Sequence, residues 1–579
     1  MKSTRLLFLL FFLSLCFFAV LTRFFYWQVI AGDKLSVTAQ KQRFKTVEVS
    51  APRGKIYAFD DYPLVLNKNL FFLYVYLPNC PSFIKELPEK LSPIFVSDFL
   101  SKESSPSANL DTEGLIKEER VKISQNLSSG KKWVILKRRL SLDSKKEIED
   151  LGFNCLSFES ESFRDYPEGS MSAQLLGFVG FDKNGNQKGY FGLEGFYNQQ
   201  LSGLPGLMVE EKTLIGRPIF SEKRVKESVS SGMNLNLYSD RVAQFILEEE
   251  LKKGIDIYGA ASGWGVILDP VSGGILAMAG FPNYDPANYT EFTGSLFSNP
   301  AVSEGFEPGS IFKPLIMTAA LEEEVLTPET KCDRCAGPRK IGDYNIKTWN
   351  EKYHPHSTMT EVIQNSDNVG MVFVSEKLGK ERLLDWLKKF GFGEKTGIDL
   401  QGEAALPIRS DKDWYPIDLA TVSFGQGILV TPIQLTRAFS VLANQGWLIK
   451  PKVVQKIWLG DKDVFLTEES GEKRIISPKV SEEIKKMLIN AVENGEAKNL
   501  KPARLVIAGK TGTAQIPISG HYDQEKTIAS FIGFTPADNP KFVMLISLRE
   551  PSSSPWGSET AAPVWFNIAN RLAYYWQLF

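Results

Sequence analysis

A long apolar run opens the chain. Residues 6–21 are almost entirely Leu, Phe and Val, with Lys2 and Arg5 before them and Arg23 after them, and residues 24–27 are all aromatic. An apolar helix of about 20 residues spans a bilayer, and aromatic side chains favour the interface between the membrane and water. The pattern predicts a membrane helix. A cleaved signal peptide and a buried core helix are the alternatives, but no small-residue cleavage site follows, so we expect an uncleaved anchor.

The charges around this run predict its orientation. Lys2 and Arg5 lie on its N-terminal side. Cytoplasmic flanks of membrane helices carry an excess of Lys and Arg, so the N-terminus is expected inside and the chain after residue ~30 outside. We therefore predict a single-pass protein of the cytoplasmic (inner) membrane with an extracytoplasmic body.

A mixed pattern follows the anchor. Residues 70–77 and 132–136 are short apolar runs typical of strands, and residues 117–126 are a polar helical stretch. The segment 101–119 is rich in Ser, Glu and Lys, which indicates a surface helix and loop. The charged, Ser-rich segment 221–232 is the best candidate for a linker.

From residue 234 the pattern becomes more regular. It predicts strands at 234–238, 264–268, 274–279, 505–508, 529–534 and 542–548, and helices at 240–251, 315–321 and 565–576. Strands at both ends with helices between them favour an antiparallel sheet covered by helices, which is an α+β fold. A length of 579 residues suits two or three domains. We predict an anchor segment at 1–32, a non-catalytic domain at 33–225 and a second domain at 234–579.

Composition and charge narrow the function classes. The chain is 43% hydrophobic and 23% charged, with a net charge of −1, so it can bury ordinary cores and offers no argument for nucleic-acid binding. Cys332 and Cys335 form a C-x-x-C motif, and His354 and His356 follow. Zinc, a loop disulfide and two free thiols are the alternatives. The spacing fits no standard zinc finger, so we expect no metal. The other cysteines form no regular framework.

Three short motifs carry the candidate chemistry. They are residues 310–313 (Ser-Ile-Phe-Lys), 366–368 (Ser-Asp-Asn) and 510–513 (Lys-Thr-Gly-Thr). Ser310 and Lys313 are three residues apart, so on a helix their side chains meet, and a lysine amine can activate a serine hydroxyl. Residues 308–309 (Pro-Gly) suit a turn entering that helix. Burial and nearby positive charge would favour the neutral amine.

Each motif alone is a weak signal. Ser-x-x-Lys also occurs at Ser128/Lys131 and Ser129/Lys132, in a polar stretch typical of solvated loop. All three motifs together, in this order and in apolar surroundings, indicate a serine acyl-transfer site of the kind that binds penicillin.

With these motifs the chain resembles the class B penicillin-binding proteins, the monofunctional peptidoglycan D,D-transpeptidases. The resemblance covers nearly the whole chain and includes residues 53–56 (Arg-Gly-Lys-Ile), 166–167 (Tyr-Pro), 177–180 (Gly-Phe-Val-Gly), 192–195 (Gly-Leu-Glu-Gly), 277–279 (Ala-Met-Ala), 423–427 (Ser-Phe-Gly-Gln-Gly), 431–432 (Thr-Pro) and 561–563 (Ala-Ala-Pro). One segment departs from the family pattern. Residues 57–61 (Tyr-Ala-Phe-Asp-Asp) stand where the family usually has x-Asp-Arg-Asn-Gly, which puts a packing or partner contact in question and not the chemistry.

The resemblance implies a fold: a membrane anchor, an elongated pedestal domain of mixed α/β structure, and a transpeptidase domain of β-lactamase-like type. It also implies catalytic roles. Ser310 would attack the D-Ala-D-Ala bond of a stem peptide, Lys313 would be the base, and Ser366 would relay a proton to the leaving amine. No cofactor is expected.

The resemblance further implies how substrate is held. Asn368 would bind the substrate amide, and Lys510 would place positive charge near the substrate carboxylate. The hydroxyls of Thr511 and Thr513 would bind that carboxylate, with Gly512 between them. The backbone N–H groups of Ser310 and Thr513 would form the oxyanion hole.

Within the family, residues 423–427 and the compact C-terminus are more similar to the division-septum branch than to the elongation branch. A penicillin-sensitive septal transpeptidase would contact peptidoglycan stem peptides, a multi-spanning glycosyltransferase and other division proteins. The alternatives with the same site are an elongation-type transpeptidase, a D,D-carboxypeptidase and a β-lactamase. A membrane-anchored β-lactam sensor would need a cytoplasmic output domain, and a non-catalytic division scaffold would be expected to lose Ser310, Lys313 or Lys510.

Overall fold

The computed structural model describes residues 2–80, 84–101, 111–183, 185–211, 224–460, 462–466, 471–518 and 521–579. Parts of two predicted segments, residues 102–110 and 221–223, lie outside the described residues. The chain divides into two compact units. One comprises Met1–Arg53 and Ser202–Gly232, and the other comprises Gly54–Leu201 and Met233–Phe579. The predicted domain boundaries at 33, 225 and 234 stay a prediction.

The strands of the described residues range in length from two residues in β2 to 15 residues in β20. They are β1 (Phe44–Val49), β2 (Ile56–Tyr57), β3 (Pro63–Tyr76), β4 (Trp133–Leu140), β5 (Leu156–Asp165), β6 (Phe178–Phe181), β7 (Gln187–Tyr190), β8 (Gly206–Glu211), β9 (Arg224–Glu227), β10 (Asn234–Leu237), β11 (Ser262–Leu268), β12 (Ile275–Phe281), β13 (Arg339–Ile341), β14 (Tyr344–Ile346), β15 (Trp447–Ile449), β16 (Val454–Leu459), β17 (Lys462–Leu466), β18 (Gly471–Arg474), β19 (Ala508–Ile518), β20 (His521–Thr535) and β21 (Phe542–Arg549).

The α-helices of the described residues are distributed over both halves of the chain. They are α1 (Lys2–Phe25), α2 (Gly32–Arg43), α3 (Leu87–Leu100), α4 (Thr112–Leu127), α5 (Leu142–Asp150), α6 (Ala173–Leu176), α7 (Gly192–Phe196), α8 (Asn198–Ser202), α9 (Arg241–Tyr258), α10 (Pro300–Ser303), α11 (Lys313–Glu322), α12 (Met359–Gln364), α13 (Asn368–Leu378), α14 (Lys380–Lys389), α15 (Pro416–Ser423), α16 (Pro432–Ala443), α17 (Pro478–Asn494) and α18 (Ala561–Tyr575).

The first unit contains the predicted anchor. α1 continues into a π-helical turn at Tyr26–Ile30, and the apolar stretch Ser3–Ile30 is wholly exposed. Its 28 residues span about 42 Å at 1.5 Å per residue, enough to cross a bilayer. The same unit holds an antiparallel sheet of order β1-β8-β9. β9 lies inside the predicted linker at 221–232, so the linker prediction was wrong for residues 224–227, where strand pairing overrides the polar composition.

The second unit contains a seven-stranded sheet that draws on both halves of the sequence. Its order is β17-β16-β10-β2-β3-β4, with β5 also pairing with β3. β2 and β10 pair in parallel, with Ile56 opposite Leu235. The sheet therefore joins residues that the sequence assigns to two domains.

A disulfide at the end of this sheet was not expected. Cys80 and Cys155 are bonded although 75 residues separate them. Pairing of β3 with β5 brings Val75 opposite Leu156, and the N–H of Tyr76 donates to the Cys155 carbonyl oxygen at 3.0 Å. The irregular spacing of the cysteines in the sequence therefore gave no indication of this disulfide, because strand pairing and not local spacing brings the two residues together.

The central sheet of the second unit has five strands in the order β12-β11-β21-β20-β19. All of its pairings are antiparallel. Successive residues of β20 enter two different cores: Phe531 packs with Trp565 of α18, and Ile532 belongs to the core that includes Phe439 of α16. Because helices cover both faces, the predicted α+β class with an antiparallel sheet is confirmed.

The sequence located these strands and helices well but not all of their ends. The predicted hairpin is formed by β11 and β12. The helix predicted at 240–251 extends to Tyr258. It begins where the Asp240 carboxylate caps the N–H groups of Val242 and Ala243, at 2.9 and 3.0 Å. It ends where Gly259 adopts the left-handed conformation that closes many helices.

The segment 192–195 contains a buried carboxylate. Glu194 is fully buried, and its Oε1 accepts a hydrogen bond from the Nε of Arg164 at 2.7 Å. Arg164 also donates from Nη1 to Asn67 Oδ1 at 2.7 Å. A buried charge is tolerated only when it is paired, so this contact explains the need for Glu in the motif.

Candidate active site

The first motif begins in a tight turn. Gly309–Phe312 form a 3₁₀ turn, and α11 starts at Lys313. Ser310 was expected on the same helix as Lys313 but lies in the turn before it. A 3₁₀ helix has three residues per turn, so the two side chains still project on the same side. The backbone of Gly309, with φ +57°, donates from its N–H to the Gly425 carbonyl oxygen at 2.9 Å.

Lys313 is fully buried and joins the first motif to the second. Its Nζ donates to the Ser366 carbonyl oxygen at 2.6 Å and to Asn368 Oδ1 at 2.8 Å, and it lies 3.2 Å from Ser366 Oγ. Within the described residues the Ser310 hydroxyl makes no hydrogen bond. Catalytic hydrogen bonds often tighten only when substrate is bound, so the lack of a hydrogen bond between Ser310 and Lys313 is compatible with a lysine base.

The second motif occupies the turn between α12 and α13. Ser366 has φ +52°, a left-handed conformation that is costly for a residue with a side chain and typical of functional sites. The Asp367 carboxylate caps α13 by accepting from the N–H groups of Val369 and Gly370, at 2.8 and 3.1 Å. Asn368 is therefore the first residue of α13, and its amide faces Lys313.

The third motif lies on the edge strand β19. Lys510 is buried, and its Nζ donates to the carbonyl oxygen and to Oγ1 of Thr511, each at 3.1 Å. Thr511 Oγ1 donates in turn to Glu496 Oε2 at 2.9 Å. Thr513 Oγ1 accepts from the N–H of Gly557 at 3.0 Å. The strand thus presents two hydroxyls beside a buried cation.

Gly512 permits β19 to lie directly against the serine turn. A Cβ at this position would lie 2.8 Å from Ile311 Cγ2 and 3.3 Å from the N of Ile311. No side chain fits there without displacing the turn, so the Gly of Lys-Thr-Gly is required by packing.

The electrostatics favour a neutral amine on Lys313. Burial, followed by the positive charge of Lys510, lowers its pKa to about 7, against the opposing effect of Asp367 and Glu496. Burial also lowers the pKa of Lys510, and Glu496 opposes that shift. A lysine that is neutral near pH 7 can act as a general base.

Glu307 connects the serine turn to the segment 423–427. Its Oε1 accepts from the N–H of Gly427 at 3.0 Å and from the Tyr522 hydroxyl at 3.3 Å. Burial raises the pKa of Glu307. The Ser-Phe-Gly-Gln-Gly motif therefore supports the back of the serine turn through its backbone.

The structure brings the predicted residues together around one cleft. Ser310, Ser366, Asn368, Thr511, Gly512 and Thr513 line it, and Lys313 and Lys510 lie buried behind its wall. Sequence reasoning missed other lining residues, which are Trp349, Phe424, Gln426, Glu496 and Trp556. Phe424 and Gln426 belong to a recognised motif, whereas the other three lie on loops that carry no pattern.

The C-x-x-C motif is a disulfide between Cys332 and Cys335, the second of the three alternatives. In the part of the chain that the structure describes, no cluster of three or more His, Cys, Asp or Glu side chains is arranged to hold a metal ion.

Comparison with known proteins identifies two domains in the chain. Residues 263–571 match the penicillin-binding protein transpeptidase domain, and residues 48–237 match the penicillin-binding protein dimerisation domain. Stage V sporulation protein D of Bacillus subtilis (strain 168) is 32% identical over 571 residues, covering 97% of this chain and 84% of that protein. The peptidoglycan D,D-transpeptidase FtsI of Buchnera aphidicola subsp. Baizongia pistaciae (strain Bp) is 27% identical over 583 residues, covering 98% and 95%.

A solved structure has a similar fold over most of the chain. The crystal structure of a peptidoglycan synthetase from Bifidobacterium adolescentis superposes with a TM-score of 0.70 at 25% identity, covering 93% of this chain and 97% of that one. Both domain matches, the full-length relatives and the three converging motifs agree: the chain belongs to the class B penicillin-binding proteins, with a dimerisation domain preceding a serine transpeptidase domain.

Proposed function

We propose that Ser310 of this serine D,D-transpeptidase is the nucleophile that cross-links peptidoglycan stem peptides. The observation that supports this most is Lys313, a buried amine hydrogen-bonded to Ser366 and Asn368 and three residues from the cleft-lining serine. The relative from Buchnera aphidicola is named a peptidoglycan D,D-transpeptidase. Penicillin binding follows from the family and the same serine.

Acylation needs one proton to leave Ser310 and one to reach the leaving amine. The neutral Lys313 amine takes the Ser310 proton as Oγ attacks the carbonyl carbon between the two D-Ala residues. The backbone N–H groups of Ser310 and Thr513 stabilise the resulting oxyanion. Ser366 Oγ, 3.2 Å from Lys313 Nζ, then passes the proton from the lysine to the departing D-Ala amine.

Substrate is oriented by the other motif residues. The cation of Lys510 and the hydroxyls of Thr511 and Thr513 receive the terminal carboxylate of the donor peptide. The Asn368 amide, held between Lys313 and the Lys347 carbonyl oxygen at 2.8 and 3.1 Å, binds the donor backbone. An amine of a second stem peptide then takes the acyl group from Ser310.

Intact-protein mass spectrometry with penicillin tests the nucleophile. Wild type is expected to gain the mass of one penicillin, and Ser310→Ala none. Ser303→Ala, a change of an ordinary α10 serine whose Oγ donates to the Asn299 carbonyl oxygen, is the matched control and should acylate like wild type. A stable adduct on the Ser310→Ala protein would show that another residue is the nucleophile.

The protein is anchored by its N-terminal helix, and we infer that the anchor crosses the cytoplasmic membrane with the catalytic unit outside. Lys2 and Arg5 before the apolar stretch support this orientation. A septal role in division is the finer proposal, supported by the resemblance of residues 423–427 to that branch. A fluorescent fusion that labels the side wall and not the division site would contradict the septal role. N-terminal sequencing of the membrane fraction tests the anchor, which is expected to be retained.

The proposed partner is a multi-spanning glycosyltransferase. Exposed apolar residues on the segment matched to the dimerisation domain support a protein contact: Trp133 is 58% exposed and its ring lies 4.4 Å from that of Tyr76. Trp133→Ser should lose co-purification with the glycosyltransferase, whereas Val121→Ser, a control at an exposed position of α4, should keep it. Equal recovery with both variants would place the contact elsewhere.

A further inference from the structure

A second concavity, which we name the side recess, opens beside the catalytic cleft. Trp349, Trp556 and Glu496 line both the cleft and the recess. The two indole rings lie 5.1 Å apart, centre to centre. Lys352 and Lys498 line the recess and not the cleft. The boundary between the two cavities is therefore two aromatic rings and one carboxylate.

Three charged side chains of the side recess form no ion pair with a described residue, although the charge of one of them, Glu496, acts on the buried Lys510. The exposed carboxylate of Glu496 accepts a hydrogen bond from Thr511 and forms no ion pair with any described residue. Lys352 and Lys498 are exposed and likewise have no acidic partner among the residues that the structure describes. Opposite charges held apart around one cavity suit a ligand that carries both an ammonium and a carboxylate.

Two buried polar atoms on the wall also have no partner. Asp367 and Thr348 line the recess and are 2% and 5% exposed, and neither Asp367 Oδ2 nor Thr348 Oγ1 has a hydrogen-bond partner within the described chain. Buried polar atoms are nearly always paired, and each exception calls for an explanation. An unpaired carboxylate oxygen behind the wall adds negative charge on the side of the recess that faces Lys313.

The reaction itself indicates what enters from this side. The donor's leaving amine departs from the carboxylate-binding side of the cleft, where Lys510 and Thr511 lie. The acceptor amine must approach the same acyl carbon along the path by which that amine left, since the oxyanion hole and Ser310 hold the acyl group in place. Glu496 is hydrogen-bonded to Thr511 and so stands on that path.

We propose that the side recess binds the acceptor peptide, with Glu496 receiving its ammonium and Lys352 and Lys498 receiving its carboxylate. The proposal rests on the transpeptidase function proposed above and specifies the acceptor: a peptide with a primary amine at the reacting end and an anionic group beyond it. Trp349 and Trp556 flank the aliphatic chain that carries the amine into the cleft.

The transfer balances in atoms and protons. The acceptor ammonium releases one proton to solvent at the Glu496 carboxylate and attacks the ester carbonyl as a neutral amine. A C–N bond forms and the C–O bond to Ser310 breaks. The second proton leaves the nitrogen for the Lys313 amine through Ser366, and Lys313 returns it to Ser310 Oγ. The products are an amide, a free serine and one proton.

Partition of a single acyl-enzyme tests the proposal on the full chain in detergent. A D-alanyl thioester acylates Ser310, and Nα-acetyl-L-lysyl-D-alanine serves as the acceptor, with one ammonium and one carboxylate. The ratio of amide to hydrolysed acid, measured by mass spectrometry, does not depend on the acylation rate because both products come from the same intermediate. Glu496→Gln should lower this ratio about tenfold, the factor expected for one charge-assisted hydrogen bond.

Matched variants separate this role from general effects of charge. Glu493→Gln, three residues earlier and paired with Lys501, should keep the wild-type ratio. The double variant Lys352→Ala/Lys498→Ala should raise the acceptor concentration that gives half-saturation. It should not raise this concentration when the C-terminal carboxylate of the acceptor is replaced by an amide. An unchanged ratio in Glu496→Gln, or equal effects on acid and amide, would overturn the proposal.

The result for wild type distinguishes a failure of the proposed acceptor site from a failure of the proposed transpeptidase function. Wild type that yields acid but no amide at any acceptor concentration would overturn the acceptor site and leave the acyl-enzyme intact. Wild type that yields neither product and no penicillin adduct would overturn the proposed function itself.

Discussion

The Nζ of Lys313 lies 2.6 Å from the backbone carbonyl oxygen of Ser366, a residue with φ +52°. The left-handed backbone turns this carbonyl toward the lysine, so the shortest hydrogen bond of Lys313 does not depend on the Ser366 side chain. The same contact keeps Lys313 Nζ 3.2 Å from Ser366 Oγ, the proposed proton relay. The strained residue therefore lies beside the proposed base, as is typical of functional sites.

Lys313→Met should remove the general base with little change of volume. Loss of a general base typically lowers a rate by about 10²–10⁴, and we expect a fall of that size in the rate of acylation by penicillin. Stopped-flow or quenched mass spectrometry measures the rate. Lys389→Met, at an exposed position of α14, is the control and should acylate like wild type. An unchanged rate in Lys313→Met would place the base elsewhere.

The pH dependence of acylation should report the lysine. The pKa of Lys313 is about 7, and the reactive form is the neutral amine. Acylation should therefore rise about tenfold for each pH unit below 7 and level off above it. Lys510→Gln removes a positive charge that lowers this pKa, so the midpoint of the profile should move to higher pH. A midpoint that stays in place or moves to lower pH would show that the two lysines are not coupled.

Gly425 and Gly427 offer a matched test of packing behind the serine turn. Both have positive φ, at +78° and +74°. A Cβ on Gly425 would lie 2.2 Å from the Gly309 carbonyl oxygen, whereas the nearest atom to a Cβ on Gly427 is Thr421 Oγ1 at 3.4 Å. Gly425→Ala should lower the free energy of unfolding by about 2–4 kcal/mol and slow acylation, while Gly427→Ala should cost about 1 kcal/mol. Denaturant titration measures both. Equal losses of unfolding free energy in the two variants would mean that the positive φ, and not the steric clash, causes the destabilisation.

Glu194→Gln should destabilise the protein strongly. It leaves the Arg164 guanidinium buried without its counter-charge, and breaking a buried ion pair costs about 3–5 kcal/mol. Glu249→Gln is the control, because the exposed pairs of Glu249 with Lys253 and Arg571 are worth about 0–1 kcal/mol. Denaturant titration of both variants measures the loss of unfolding free energy. A small loss in Glu194→Gln would show that water or a neighbouring group solvates Arg164.

The sequence indicated the candidate catalytic motifs because their chemistry demands particular residue types. Ser310, Lys313, Ser366 and Lys510 were all selected in this way, and the structure places them in or behind one cleft, while their catalytic roles stay predictions. The apolar strands β11, β20 and β21 were likewise visible, since they are buried on both faces and read as continuous apolar runs.

Other features depend on contacts between distant segments and left no local signal. Trp349, Glu496 and Trp556 meet at the cleft only because their loops fold around β19 and α13. Glu496 follows the end of α17, at a position where a polar residue looks like ordinary solvated loop. The bond from Cys80 to Cys155 depends in the same way on the register of β3 and β5.

The pairing of β2 with β10 has a practical consequence for protein production. A version of the protein that begins at residue 234 would leave one edge of β10 without a partner, and unpaired strand edges promote aggregation. A soluble form for crystallisation or inhibitor screening should therefore begin at or before residue 44, so that β8 keeps β1 and β10 keeps β2 as a partner, even though such a start retains far more of the chain than the transpeptidase match alone covers.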